Sequence, residues 1–284
     1  MEVKIMGEPK VYLPELTREE IKEVVNRAVL LVPVATIEQH GPHAPIQTDI
    51  DNCLNICLSV AKKVHPNPPT LVSAPVWFSP SPFDPAWQPV NICMREEVFK
   101  EALNDILESY LRSGFRRIVV VNGHGGGTEW LVPQVVQKLN KKVSSIWSDW
   151  RIPDDAKVVT FEWMAFLEVF AREELEKIRE NPPGSDWHAG DIETSIQLYL
   201  HPELVDMKKA KVGHRYRRSS FSAHDLGRNW FWQYIIAGSP YIGGERGEVD
   251  GVSGDPTLAT PELGKKILEL ATEKIAEFVV EFSK

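Results

Sequence analysis

Seven consecutive apolar residues, "VLLVPVA" at positions 29–35, constrain this chain most. A strand turns alternate side chains to opposite faces, so a run that is apolar at every position must be covered on both. Its length is that of a strand, not of a helix. A strand buried on both faces belongs inside a mostly parallel sheet with helices above and below it. A second run of the same kind, "RRIVVVNGHGGG" at 116–127, ends abruptly in glycines. Further strands are expected at 70–78 ("TLVSAPVWF") and 142–150 ("KVSSIWSDW"). Helical patterns separate them. Thr17 and Glu20 have the spacing of a capping box opening a helix over 18–28. Others run over 51–64, over 95–114 with Gly114 as its C-cap, and over 128–140, bent or broken near Pro133. Helices over 161–180 and 189–200 follow, and Thr260-Pro261 opens a final one. Strands alternating with helices predict an α/β fold, a mostly parallel sheet flanked by helices on both faces. With no internal repeat or low-complexity linker, residues 1–284 read as one domain. The glycine- and aromatic-containing stretch 211–255 reads as lid, loop or oligomer contact.

The polar chemistry collects where the buried strands end. Open α/β sheets place their sites beyond the carboxyl ends of their strands. The first strand runs into "TIEQHGPHAPIQTDID" at 36–51, with Glu38, His40, His43, Asp49 and Asp51. Glu38 and His40 are two apart, so an extended chain points both side chains one way. Asp49, just before a predicted helix, can return to the same mouth and bridge two ions with its two oxygens. Glu, His and Asp suit zinc, manganese or iron. His43 reads as a supporting or plain loop residue and Asp51 as a helix cap.

His124, in "NGHGGG" after the second buried strand, is a further candidate ligand. That turn has neither GxGxxG nor GxxxxGK[ST] spacing, which argues against a nucleotide loop. The third collection is "SDWHAGDIETS". There His188 can handle a proton for a leaving group, and Glu193 can bind metal or accept a proton. Asp191 reads as a first-turn carboxylate favouring the helix dipole. Asp186, Trp187, Ser79 and Gly125 read as substrate-facing.

These segments together resemble the creatininase (creatinine amidohydrolase) family. "EQHGPHAPIQTD", "NGHGGG", "WHAGDIETS" with "PELV" after it, and "GVSGDPTLATPELG" occur in that family's order between residues 38 and 264. The resemblance implies an α/β/α sandwich carrying a hydrolase site with two divalent ions. By position, Glu38, Asp49 and His124 would hold one ion and His40 and Asp49 the other. His188 would match the catalytic histidine and Glu193 the glutamate after it. A small-molecule substrate and a hexamer built from dimers are also implied. Two departures matter. Gly126 stands where creatinine-hydrolysing members carry Glu, so Glu193 is the expected substitute ligand. The Phe-Pro-Gly-Thr stretch after the second strand is missing. Hydrolysis of a linear or cyclic amide other than creatinine is therefore expected. The alternatives are ring-opening cleavage of a carbon–carbon bond in an inositol-derived diketone of the 3-dehydro-scyllo-inosose type, and a metal-binding member without catalysis.

Composition bounds the setting. A net charge of −8 argues against nucleic-acid or anionic-membrane partners. Cys53, Cys57 and Cys93 lack CxxC spacing and read as plain buried thiols, which suits the cytoplasm. No stretch of about 18 apolar residues and no apolar leader core is found.

Overall fold

The computed structural model describes residues 9–81, 91–126, 128–143, 152–181, 188–213 and 251–284. A short helix α1 (Arg18–Lys22) opens with the capping box, in which Thr17 and Glu20 satisfy each other's backbone N–H groups. It leads into β1 (Val29–Val34), buried at every position. Then come α2 (Thr48–Val64), β2 (Thr70–Val72), α3 (Glu96–Arg112), β3 (Arg117–Asn122) and α4 (Thr128–Val143). β4 (Lys157–Glu162), α5 (Trp163–Phe170), α6 (Arg172–Ile178), α7 (Asp191–Leu200) and α8 (Pro261–Phe282) complete the described elements. The four strands form one parallel sheet in the order β2-β1-β3-β4.

The alternation of side chains builds two cores. Val29 and Leu31 of β1, with Val119 and Val121 of β3, meet α2, α5, α7 and α8 on one face. Leu30, Val32 and Val34, with Ile118 and Val120, meet α3 and α4 on the other. A proline inside a central strand is unusual. Pro33 is tolerated because its side towards β2 lies beyond the end of that strand, where its carbonyl accepts instead from Val76 N–H.

The structure corrects several boundaries. Of the strand expected over 142–150, Lys142 and Val143 finish α4, and positions 144–150 lie outside the described residues. The fourth strand is "KVVTFE" at 157–162. Its last two residues fall within the span 161–180 expected as a helix, which is itself split at Ala171 into α5 and α6. α4 runs on through Pro133, so no break occurs there. In its second turn the ring deprives only one earlier carbonyl of a donor. β2 is three residues, not nine, and α1 stops at Lys22. Cys93 is exposed, whereas Cys53 and Cys57 are buried on α2 as expected.

α7 and α8, both over the first face, approach at backbone contact. A Cβ on Gly264 of α8 would sit 1.9 Å from the carbonyl oxygen of Ser195 on α7. The oxygen belongs to helix backbone and cannot step aside as a side chain would. Gly264→Ala is accordingly expected to cost on the order of 3 kcal/mol. Urea denaturation measures it, and a change below about 0.5 kcal/mol would mean that the helices part without cost. Among the described residues, no helix is long and apolar enough to cross a membrane.

Candidate metal centre

β1 and β3 are neighbours whose chains leave in opposite directions: α2 covers one face and α4 the other. Loops that diverge from adjacent parallel strands open a crevice at their carboxyl ends. Residues 36–49 leave β1 into that crevice and residues 123–126 leave β3 into it. The start of α7 closes it from one side. Glu38, His40, Asp49, His124, His188 and Glu193 all converge there, none more than 9% exposed.

Three carboxylates and three imidazoles withdrawn from water must satisfy one another or a cation. His40 Nε2 lies 3.0 Å from Asp49 Oδ1 and 3.6 Å from Glu193 Oε2. His124 Nε2 lies 3.3 Å from Glu38 Oε2, and His188 Nδ1 lies 3.5 Å from Glu38 Oε1. The ligand atoms of Glu38, Asp49 and His124 fall within 4.8 Å of one another, as do those of His40, Asp49 and Glu193, and those of Glu38, His40 and His188. Asp49 belongs to two of the three sets. Among the described residues its Oδ2 makes no hydrogen bond, although it is buried. Orphaned buried polar atoms of this kind are rare unless something unseen meets them. Oxygen and imidazole donors in such sets fit divalent ions of the zinc and manganese type.

Supporting contacts aim the donors. His40 Nδ1 donates to the Glu38 carbonyl at 3.1 Å, which leaves Nε2 facing the carboxylates. Ser79 Oγ stands 3.2 Å from His124 Nδ1 and 3.4 Å from the Pro80 carbonyl. A hydroxyl that gives its proton to that carbonyl can accept from Nδ1–H and turn His124 Nε2 to the site. Ser81 donates to Glu38 Oε2 at 2.6 Å, and Ala189 N–H donates to Glu193 Oε2 at 2.7 Å. Ala189 takes a left-handed φ of 55°, which lets the chain turn between His188 and Glu193.

Electrostatics match this crowding. Burial alone would lower the pKa of His40, but Asp49, then Glu193 and Glu38, raise it to about 10. His124 is raised against its burial to about 9, chiefly by Glu38. Burial would raise Glu38, yet His124, His188 and His40 hold it at about 2. Burial and then the His40 charge push His188 down to about 4, and burial lifts Glu193 to about 7 against the pull of His40. A histidine raised on folding adds stability that is whole below pH 6.5 and is lost as pH climbs through the folded value. Without metal the chain should therefore lose thermal stability progressively between about pH 6.5 and 10. An ion requires His40 and His124 already neutral, so loading releases protons and flattens that slope. Melting curves with chelator and with zinc would show the difference, and parallel pH slopes would contradict it.

Several expected residues have other partners. Ser79 is fully buried on His124 and Gly125 is exposed beside it. Gly126 is partly exposed. Asp51 does not cap α2, which begins three residues earlier with Gln47 at its N-cap. Asp51 Oδ2 instead accepts from Gln197 Nε2 at 2.8 Å and lies 3.2 Å from His201 Nε2, tying α2 to α7. Asp191 does more than favour a helix dipole: it is buried and accepts from Arg179 Nε (3.0 Å), Arg179 Nη2 (2.8 Å) and Asn181 Nδ2 (2.8 Å). His43 Nε2 lies 3.0 Å from Thr194 Oγ1 and supports α7 from behind. Asp186 and Trp187, and positions 214–250 of the stretch read as lid, loop or oligomer contact, lie outside the described residues. Sequence reasoning missed Gln39, Ser81, Asn91 and Ser253 around the centre. Gln39 and Ser81 sit inside or close to the motifs, but nothing in their spacing marks a partner.

Comparison with known proteins agrees with this picture. The family model described as "Creatininase: Creatinine amidohydrolase" matches residues 14–279. The chain is 26% identical to "3-dehydro-scyllo-inosose hydrolase" of Thermotoga maritima, over 95% of this chain and 82% of that protein. It is 27% identical to "Mycofactocin precursor peptide peptidase" of Mycobacterium ulcerans, over 84% of this chain and 79% of that one. The solved structure "Creatininase Mn" superposes with a TM-score of 0.75 at 21% identity, covering 96% of this chain and 98% of the other, a likeness of fold.

Proposed function

Because this chain belongs to the creatininase family and is a metal-dependent hydrolase of that family, we propose that it adds water to a carbonyl at a centre holding two divalent ions. The observation that carries this reading is Asp49, shared by two three-residue donor sets and bearing a buried oxygen without a hydrogen bond among the described residues. Glu38, Asp49 and His124 would hold one ion, and His40, Asp49 and Glu193 the other, with Glu193 standing in for the glutamate that Gly126 replaces. Zinc and manganese suit the donors best, and iron is compatible. When bound, such ions lower the pKa of water towards about 7 and polarise a carbonyl.

The chain's own residues do the rest. Ser79, Ser81 and the Glu38 carbonyl fix the donors, so little reorganisation accompanies the reaction. His188 presents Nδ1 to the centre beside Glu38 and carries the proton from the attacking water to the departing atom. The bond we assign first is a linear or cyclic amide other than creatinine. Asp186, Trp187 and the exposed turn at Gly125 are assigned to the substrate. A second reading, opening of a cyclic polyol ketone at a carbon–carbon bond, is favoured by the Thermotoga relative, whose likeness runs over 95% of this chain. There the proton on His188 would go to carbon instead of nitrogen. We read the chain as one creatininase-like domain and expect a homo-oligomer, hexameric from dimers, in the cytoplasm.

A panel of cyclic amides, formamides, short peptides and cyclic polyol ketones, run with zinc- and manganese-reconstituted protein, tests the assignment. Turnover of an amide supports the first reading and turnover of the ketone the second. Two ions per chain are expected by metal analysis. A single, fully coordinated ion without turnover would establish a non-catalytic member instead.

A further inference from the structure

Two short rows of side chains connect α2 and α7. Residues three or four apart lie on one side of a helix. On α2 that places Asn52 one turn beyond Asp49, and on α7 it places Gln197 one turn beyond Glu193. The first pair of positions carries two carboxylates of one donor set. The second carries two amides, both fully buried.

Chemistry settles the orientation of these amides. A carboxylate oxygen accepts, so the end of Gln197 that lies 2.8 Å from Asp51 Oδ2 is the nitrogen. That same Nε2 lies 2.8 Å from the Asn52 amide, which must therefore turn its Oδ1 to it. Asn52 Nδ2 is left facing the Glu193 carbonyl, to which it donates at 3.4 Å. Asn52 thus holds α7 at both ends of one turn, at the main chain of Glu193 and at the side chain of Gln197. Gln197 Oε1 stays buried without a hydrogen bond among the described residues. A contact kept for stability alone is served as well by two apolar side chains, which leave no acceptor unpaired.

A different contact seats α2 against His124. A Cβ on Gly123 would lie 2.6 Å from Cys53 Cβ and 3.0 Å from the Asp49 carbonyl oxygen. The start of α2 rests on the backbone just before His124. Asp49 is therefore fixed towards His124 by one contact and towards Glu193 by another.

We propose that Asn52 and Gln197 are positioning residues that set the gap between Asp49 and Glu193, and through it the affinity of the ion position formed by His40, Asp49 and Glu193. This rests on the reading of two ions with Asp49 shared. The position formed by Glu38, Asp49 and His124 does not depend on the amide pair, because Gly123 seats α2 there. Loosening the pair acts on one position and spares the other, which a general destabilisation of the fold would not do.

Zinc titration of the metal-free full chain tests this, with Glu193→Gln marking which binding step belongs to the position near His40. Gln197→Met keeps the length of the side chain and removes both donations. The marked step should weaken about 10- to 100-fold, and the other should change by less than about threefold. With cobalt(II) as the probe, only the visible absorption of the marked step should change. Asn52→Leu/Gln197→Leu replaces both amides, so neither is left unpaired, and the metal-free protein should melt no lower than Gln197→Met. The marked step should nevertheless remain weak. Tight binding regained in the double variant would overturn the proposal, since packing would then suffice. Equal weakening of both steps, or no weakening in either variant, would overturn it as well. The parent titration separates the two-ion reading from the role of the amides. A parent that binds one ion, or that loses no step in Glu193→Gln, defeats the two-ion reading and the proposal together. Two steps in the parent that both variants leave tight defeat the proposal alone.

Discussion

His188→Ala is expected to lower kcat by about a thousandfold while both ions remain bound. Transfer of a proton by a positioned imidazole is worth about 10² to 10⁴ in rate. The ring is 9% exposed, its backbone is paired with Ser253 and its Nε2 is anchored on Gln39, so no other described imidazole can take its place. Its Nδ1 nevertheless lies within reach of Glu38 and His40, in a set that would also accommodate an ion. Metal analysis alongside kinetics decides between these roles. If the substitution removes an ion as well as the activity, His188 is a ligand and the proton passes through another group.

Asp49→Ala should have the largest effect of all: loss of both ions and of detectable turnover. No other side chain belongs to both the Glu38–His124 set and the His40–Glu193 set. Its removal also leaves His40 Nε2 without its 3.0 Å partner. Because ligands bound to the native state stabilise it, the variant should melt where the chelated parent melts and gain nothing from added zinc. Glu193→Gln supplies the contrast, since it should empty only the position nearer His40. An Asp49→Ala protein that keeps one ion per chain would show that the two positions are filled independently and that the carboxylate is not shared.

The motifs were legible for a physical reason. Carboxylates and histidines placed just after runs as apolar as 29–35 and 118–121 have few uses apart from metal or proton chemistry. The same runs revealed the parallel sheet, because nothing else needs side chains apolar on both faces. β4 stayed hidden for the converse reason. It is half-exposed along most of its length, and "KVVTFE" joins its helix with no intervening turn residue, so no boundary shows. The roles of Gln39 and Asp191 were not legible at all. Gln39 touches a residue 149 positions away, and the Asp191 carboxylate meets Arg179 and Asn181, 12 and 10 positions before it. Such pairings depend on how a loop folds back, which hydrophobic periodicity does not encode.

The close seating of α8 on α7 bears on the order in which the protein is made. Glu38, His40, Asp49 and His124 leave the ribosome within the first half of the chain, but Glu193 rides on α7. The backbone of α7 is held by Gly264, near the start of a helix that ends at Phe282. During synthesis the nascent polypeptide therefore displays most of its donors over the 140 residues of translation from His124 to Gly264 before the last one can be fixed in register. Binding of an ion that needs Glu193 would then be a late event, gated by the emergence of α8. A truncation within 261–282 should weaken ion binding at the position that needs Glu193 while deleting none of the ligands.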